Sequence, residues 1–196
     1  MIKIISGIIL AAGISKRMGT QKLLLPFKES TIIENIIGTV KSCKSFEEVI
    51  VVYSSEKVLD RIMQHSVRSA INERAEEGQS TSVIEGIKNS DPNTKAYMFI
   101  VGDQPFITKD ILEELISTWQ KNQASIIVPR YDGKKGMPTI FPVDFKQELM
   151  NITGDAGGRS IIQGNLDKVI FIDFNNTIAG FDIDTPEDYE EILKGI

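Results

Sequence analysis

The sequence predicts an α/β protein built on one open, mostly parallel sheet. Apolar runs of strand length alternate with amphipathic segments of helical period along most of the chain. The first run, with Ile4, Ile5, Ile8, Ile9 and Leu10, is nearly continuous in apolar residues, as a strand buried on both faces of a parallel sheet must be. Two such runs end in glycine-bearing loops rich in polar chemistry, at Gly13 and at Gly102-Asp103. The 196 residues are expected to form a single domain, 1–196, large enough to bury roughly 70% of the surface of its unfolded chain.

The elements follow in order. The opening run reads as a core strand rather than a leader, since Lys3 is its only charge and Arg17 and Lys22 follow closely. Thr31 and Glu34 have capping-box spacing, and Ile32, Ile33, Ile36, Ile37 and Val40 share one helical face. A strand at Val49 to Tyr53, a helix from Glu56 to His65 and a strand from Val67 to Ile71 come next. The alternation continues with a helix from Ser82 to Asn89, a strand from Tyr97 to Val101, a helix from Thr108 to Trp119 and a strand from Ser125 to Pro129. Trp119 completes the apolar stripe of Ile111, Leu112, Leu115 and Ile116, which makes it a core anchor. The pattern then loosens into a short strand at Pro138 to Phe141, helices at Val143 to Met150 and Gly158 to Gln163, and a strand at Val169 to Ile172. A last helix begins at Thr185. Open sheets of this class bind ligands at the carboxyl ends of their strands, where the strand order reverses.

Bulk composition removes several classes of function. A net charge of −5 with both signs interspersed offers no basic face for nucleic acid. Cys43 is the only cysteine, so there is no internal disulfide and no cysteine-cluster metal site, which suits a reducing, cytoplasmic setting. No run approaches the roughly 20 apolar residues of a membrane helix. His65 is the only histidine, expected on a surface helix, so neither a histidine-based triad nor a multi-histidine zinc site is expected and no role is assigned to it.

The segment from Leu10 to Lys22 carries the most chemistry. It joins the first strand to a loop with Gly13 and Gly19, where exposed amides can face phosphate oxygens, and with the cations Lys16, Arg17 and Lys22. Its spacing is neither GxxxxGK[ST] nor GxGxxG; an ordinary solvated strand-to-helix loop is the plain alternative. Asp103, one carboxylate just past a buried strand, is a metal-ligand candidate or an Asx-turn residue. Asp184 precedes Thr185, Pro186 and Asp188, which also make a sound helix start, with Asp182 nearby in a supporting role. Gly78-Gln79-Ser80-Thr81-Ser82 can read a base edge, or can cap a helix through Ser82 and Glu85. The glycine-rich segments 133–138 and 154–159 read as turns, the second with a capped helix start at Asp155 as its alternative.

Taken together, LAAGISKRMGTQKLLLP from Leu10 to Pro26, GDQP around Asp103, FDIDTPED around Asp184 and GDAGGR from Gly154 to Arg159 resemble the motifs of the pyrimidine nucleotidyltransferases. Among them the chain is most similar to the molybdenum-cofactor cytidylyltransferase family. That resemblance implies a three-layer α/β/α sandwich, Rossmann-like, of the nucleotide-diphospho-sugar transferase type. It implies Mg²⁺-dependent transfer of CMP from CTP to the phosphate of molybdopterin, with release of pyrophosphate and transient contact with an apo-molybdoenzyme. Leu10, Ala11, Ala12, Gly13, Arg17, Gly19 and Lys22 would then bind the nucleotide, with Gln79 and Ser80 at the base. Arg17, Lys22 and Asp103 would be catalytic, and Asp103 and Asp184 would hold the metal. Gly136, Pro138, Asp155 and Arg159 would face the acceptor. CTP is favoured over GTP because related guanylyltransferases carry an additional glycine where this chain has Ala11-Ala12-Gly13. Met137 stands where the family typically has histidine. A UTP- or GTP-dependent enzyme acting on a sugar phosphate and a non-catalytic cofactor chaperone are the competing readings; neither nucleic acid nor a membrane is an expected partner.

Overall fold

The computed structural model describes residues 5–14, 18–175 and 178–194. Its main sheet is built from β1 (Ile5–Ala11), β4 (Glu48–Tyr53), β5 (Arg68–Ile71), β6 (Ala96–Val101), β7 (Ile126–Tyr131), β8 (Lys134–Lys135), β9 (Thr139–Pro142) and β10 (Val169–Phe174). A separate small hairpin pairs β2 (Pro26–Phe27) with β3 (Ser30–Thr31). The helices are α1 (Ile32–Ser42), α2 (Glu56–Ile62), α3 (Gln79–Lys88), α4 (Lys109–Lys121), α5 (Lys146–Leu149), α6 (Arg159–Gly164) and α7 (Pro186–Leu193).

Strand order across the main sheet is β10-β7-β9-β6-β1-β4-β5, with β8 clipped onto β7. The pairs β1·β4, β1·β6, β4·β5 and β7·β10 are parallel, and β9 runs against both β6 and β7. The chain leaves β1 for β4 and β5, then returns to β6 on the other side of β1. The crevice between the ends of β1 and β6 is therefore the topological switch point.

All seven residues of β1 are buried, and their alternation feeds two cores. Ile5, Ile9 and Ala11 join the cluster formed with α1, α2, α4 and α7, while Ile8, Leu10 and Ala12 join the one formed with α3, α5 and α6. Helices thus cover both faces, giving three layers. In α1 the five residues Ile32, Ile33, Ile36, Ile37 and Val40 have no exposure, each contributing about 1.5–3 kcal/mol of burial. Its capping box forms as the sequence predicts, with the Glu34 carboxylate accepting from the Thr31 amide at 3.0 Å. On the opposite face α3 lies close against β1, because a Cβ on Gly86 would come within 2.4 Å of Ile8 Cγ2.

Four expectations change. The helix beginning at Glu56 stops at Ile62, so His65 lies beyond it, half-buried, with Nε2 4.0 Å from Glu34 Oε1. The helix expected from Ser82 starts at Gln79, which places Ser82 inside it and removes the Ser82–Glu85 capping box. The segment 143–150 is a 3-10 turn followed by the single-turn α5. The helix expected from Gly158 starts at Arg159 with no side-chain cap, so Asp155 does not cap it. Among the described residues no helix is long and apolar enough to cross a membrane.

Candidate active site

The switch point brings together three stretches that are distant in sequence. β1 and β6 remain paired to their ends, where Gly102 N donates to Leu10 O at 3.0 Å. Asp103 follows at once. The loop after β1 returns through the 3-10 turn Lys22–Leu24, which buries Lys22 and brings its Nζ to 2.7 Å from Asp103 Oδ2 and 3.0 Å from Asp184 Oδ1. Behind this triad, Ile183 N donates to the Asp103 carbonyl at 3.2 Å, and the buried Gln104 donates through Nε2 to Asp182 Oδ1 at 2.8 Å. Segment 180–184 is thereby fastened to the Asp103 loop. It then enters α7 through a capping box in which Asp188 accepts from the Thr185 amide at 2.7 Å, leaving the Asp184 side chain directed to Lys22.

Charge balance in this group is set by the lysine. Burial works to lower the Lys22 pKa, but the charges of Asp103 and Asp184 and their hydrogen bonds outweigh it and hold the ammonium above its ordinary value. The Asp182 pKa is also raised, which for an acid favours the neutral form: burial and then the nearby Asp103 charge push it up, against the hydrogen bond from Gln104.

A cleft with two lobes opens beside the triad. A lobe of about 300 Å³ is lined by Ala12, Gly13, Ile14, Glu76, Gly78 and Ser82. A lobe of about 690 Å³ is lined by Phe99, Val128, Lys135, Met137, Phe141 and Arg159 among others. Both share Leu10, Gln79, Val101, Asp103 and Asp155 as their common wall.

Most of the predicted site residues meet here. Leu10, Ala12, Gly13, Gln79, Asp103, Gly136, Asp155, Arg159 and Asp184 line the cleft, and Lys22 reaches it through its two carboxylates. Three do not. Strand alternation sends Ala11 to the opposite core; Pro138 is buried, with its neighbours Met137 and Thr139 at the cleft instead; and Ser80 is 2% exposed and faces away. Along α3 the residues that reach the cleft are Gln79, Ser82 and Val83, at positions i, i+3 and i+4, so Ser82 lines it and Ser80 does not. Gly19, with φ of 64°, shapes its turn and lines neither lobe. Arg17 lies outside the described residues.

Gly13 is different from Gly19: its φ is not left-handed, and a Cβ there would meet no described atom within 4 Å. Among the described residues nothing crowds this position, and Gly13 lines the smaller lobe. Sequence reasoning gave Gln104 no role, and within the Gly78–Ser82 segment it singled out Gln79 and Ser80, where the helical period counted from Gln79 brings Ser82 to the cleft.

The donor set fits a hard cation. Two carboxylates already converge on one positive centre, the Lys22 ammonium, and all the acidic ligands are oxygens. Among the described residues no three His, Cys, Asp or Glu side chains gather as a complete ligand set, so a metal here needs phosphate oxygens to fill its shell.

Comparison with known proteins agrees with this geometry. The model of the MobA-like NTP transferase domain matches residues 7–169. A protein of Natranaerobius thermophilus named "Probable molybdenum cofactor guanylyltransferase" is 29% identical, with 97% of this chain and 95% of that protein covered. The molybdenum cofactor cytidylyltransferase of Escherichia coli is 26% identical over 93% of this chain and 92% of its own. Among solved structures, the Rv0371c homologue from Mycobacterium sp. strain JC1 superposes with a TM-score of 0.86 at 26% identity, covering 99% and 97% of the two chains. With its switch-point cleft, its lysine-bridged carboxylates and a family match across most of its length, the chain belongs to the MobA-like NTP transferases and is a nucleotidyltransferase.

Proposed function

We propose that this nucleotidyltransferase moves CMP from CTP to the phosphate of a molybdopterin acceptor and releases pyrophosphate. The observation that carries the reading is the two-lobed cleft divided at Asp103, which offers a donor and an acceptor separate seats on either side of one acidic centre. The nucleotide takes the smaller lobe, its phosphates toward Gly13 and Lys22. The acceptor takes the larger lobe, whose walls of Phe99, Val128, Met137 and Phe141 suit a flat ring and whose Lys135 and Arg159 suit an anionic group.

An oxygen of the acceptor phosphate attacks the α-phosphorus, the bond from that phosphorus to the bridging oxygen breaks, and pyrophosphate leaves with the electron pair. The nucleophile is already anionic, so no general base is needed. What the chain contributes is alignment and charge: the lobes hold donor and acceptor in line, and Lys22 neutralises the leaving phosphates. Asp103 and Asp184 would hold Mg²⁺, which supplies charge neutralisation on the triphosphate when bound. Arg17 belongs to the same phosphate-binding role by its position in the loop motif.

Support for CTP comes from the Ala11-Ala12-Gly13 segment, where the resemblance places an additional glycine in the related guanylyltransferases. GTP is the second reading, favoured by the name of the Natranaerobius relative. The test is pyrophosphate release with molybdopterin and Mg²⁺ across the four nucleoside triphosphates. Turnover with CTP above the others is expected; turnover with GTP alone replaces the base assignment, and binding without turnover identifies a cofactor chaperone.

A further inference from the structure

The N-terminus of α3 is capped from an unexpected direction. Gly78, the residue before the helix, has no side chain to satisfy the amides of the first turn. The Gln79 amide donates instead to Asp155 Oδ1 at 3.2 Å, across 76 residues of sequence. Two glycines allow the approach. At Gly78, with φ of 109°, a Cβ would lie 2.5 Å from the Gly154 carbonyl carbon and 2.7 Å from Asp155 Oδ1. At Gly157, with φ of 52°, a Cβ would lie 2.9 Å from Gln79 Oε1. The 154–157 turn is thus closed directly onto the helix end.

This contact stands in the wall common to both lobes, since Gln79 and Asp155 line each of them. From it, α3 sends Ser82 into the smaller lobe and Val83 into the larger one, while the turn leads into Gly158 and Arg159 on the acceptor side. We infer that Asp155 is a positioning residue: it caps α3 from the acceptor side and so makes nucleotide affinity depend on the seating of the 154–157 turn. The inference rests on the two-lobe reading of the cleft. Its physical basis is the favourable interaction of a carboxylate with unpaired amides at a helix start. An acceptor that orders the turn then strengthens nucleotide binding, and by linkage the nucleotide strengthens acceptor binding equally.

Two variants separate capping from a direct charge contact with substrate. In Asp155→Asn the amide oxygen still accepts from Gln79, whereas Asp155→Ala removes the acceptor altogether. Titration of CTP and of GTP with Mg²⁺, without acceptor, is expected to weaken about 10-fold in Asp155→Ala and to stay within about threefold of wild type in Asp155→Asn. Hydrogen exchange of the nucleotide-free protein is expected to show the Gln79 amide losing protection in Asp155→Ala and keeping it in Asp155→Asn. Unchanged nucleotide affinity in Asp155→Ala overturns the inference, as does an Asn variant as weak as the Ala variant. If wild type binds neither nucleotide, the functional reading falls together with the coupling, and exchange at Gln79 alone still decides whether Asp155 caps the helix.

Discussion

Replacing Lys22 by methionine removes the ammonium and keeps most of the buried stem. Asp103 Oδ2 and Asp184 Oδ1 would then each lose the ammonium they now meet at 2.7 and 3.0 Å. Stripping one partner from a fully buried pair costs about 3–5 kcal/mol, while exposed pairs contribute about 0–1 kcal/mol. With Asp103 at 22% and Asp184 at 43% side-chain exposure, the site lies between these limits. A loss of about 1–2 kcal/mol follows after discounting for solvent screening. For a chain of this size that lowers Tm by roughly 2–8 °C. The vacated carboxylates should also take up a divalent ion better than wild type does, because the ammonium no longer competes for them. Thermal unfolding in EDTA and in a Mg²⁺ series measures both effects: Mg²⁺ should recover most of the lost stability in Lys22→Met and shift wild type less, even though turnover falls on the order of 10²-fold or more. An unchanged Tm in EDTA, or equal Mg²⁺ shifts in the two proteins, would refute the reasoning.

Asp103→Asn keeps an oxygen for Lys22 but loses its charge, so steady-state turnover should fall on the order of 10²-fold or more while Tm stays close to wild type; full turnover in this variant would remove Asp103 from the reaction. Gly78→Ala forces a Cβ against the Gly154 backbone at φ of 109°, and should cost about 2 kcal/mol or more, read as a Tm lower by roughly 4–8 °C. Burial holds the Tyr131 phenol, whose hydroxyl donates to the Met137 carbonyl at 2.7 Å, above its ordinary pKa of 10.0. The unfolded chain can therefore ionise this group first, so stability should fall as pH rises past 10.0, and Tyr131→Phe should flatten that alkaline fall in denaturant titrations while costing about 1 kcal/mol at neutral pH.

Where the sequence succeeded, local patterns were long enough to speak for themselves. The isoleucine stripe of α1 and the all-buried β1 fix period and burial together, and the Thr185–Asp188 box forms as read. Where it failed, the deciding partner was remote. Ser82 and Glu85 have good box spacing, yet α3 starts three residues earlier because Asp155 supplies the cap from another part of the chain. That shift of phase is also what turns Ser80 into the core. The short strands of the β2–β3 hairpin carry too few residues to show any period, and alternation alone has no sense of direction, so it could not distinguish an antiparallel β9. The carboxylate pair around Lys22 spans 162 positions from lysine to Asp184; only the resemblance of the two flanking motifs joined them in advance.

The reversed direction of β9 separates what this cleft donates from what it modifies. Parallel strands deliver to the cleft the loops that follow them, as β1 and β6 do with Gly13 and Asp103. A strand running the other way delivers the loop before it, and so the turn carrying Lys135, Gly136 and Met137 is held between β7 and β9 like a cassette clipped at both ends. That turn can change length and side chains without disturbing the strand–helix units proposed to seat the nucleotide. On the proposed function, acceptor choice in such a scaffold is interchangeable, whereas its phosphate chemistry is built in.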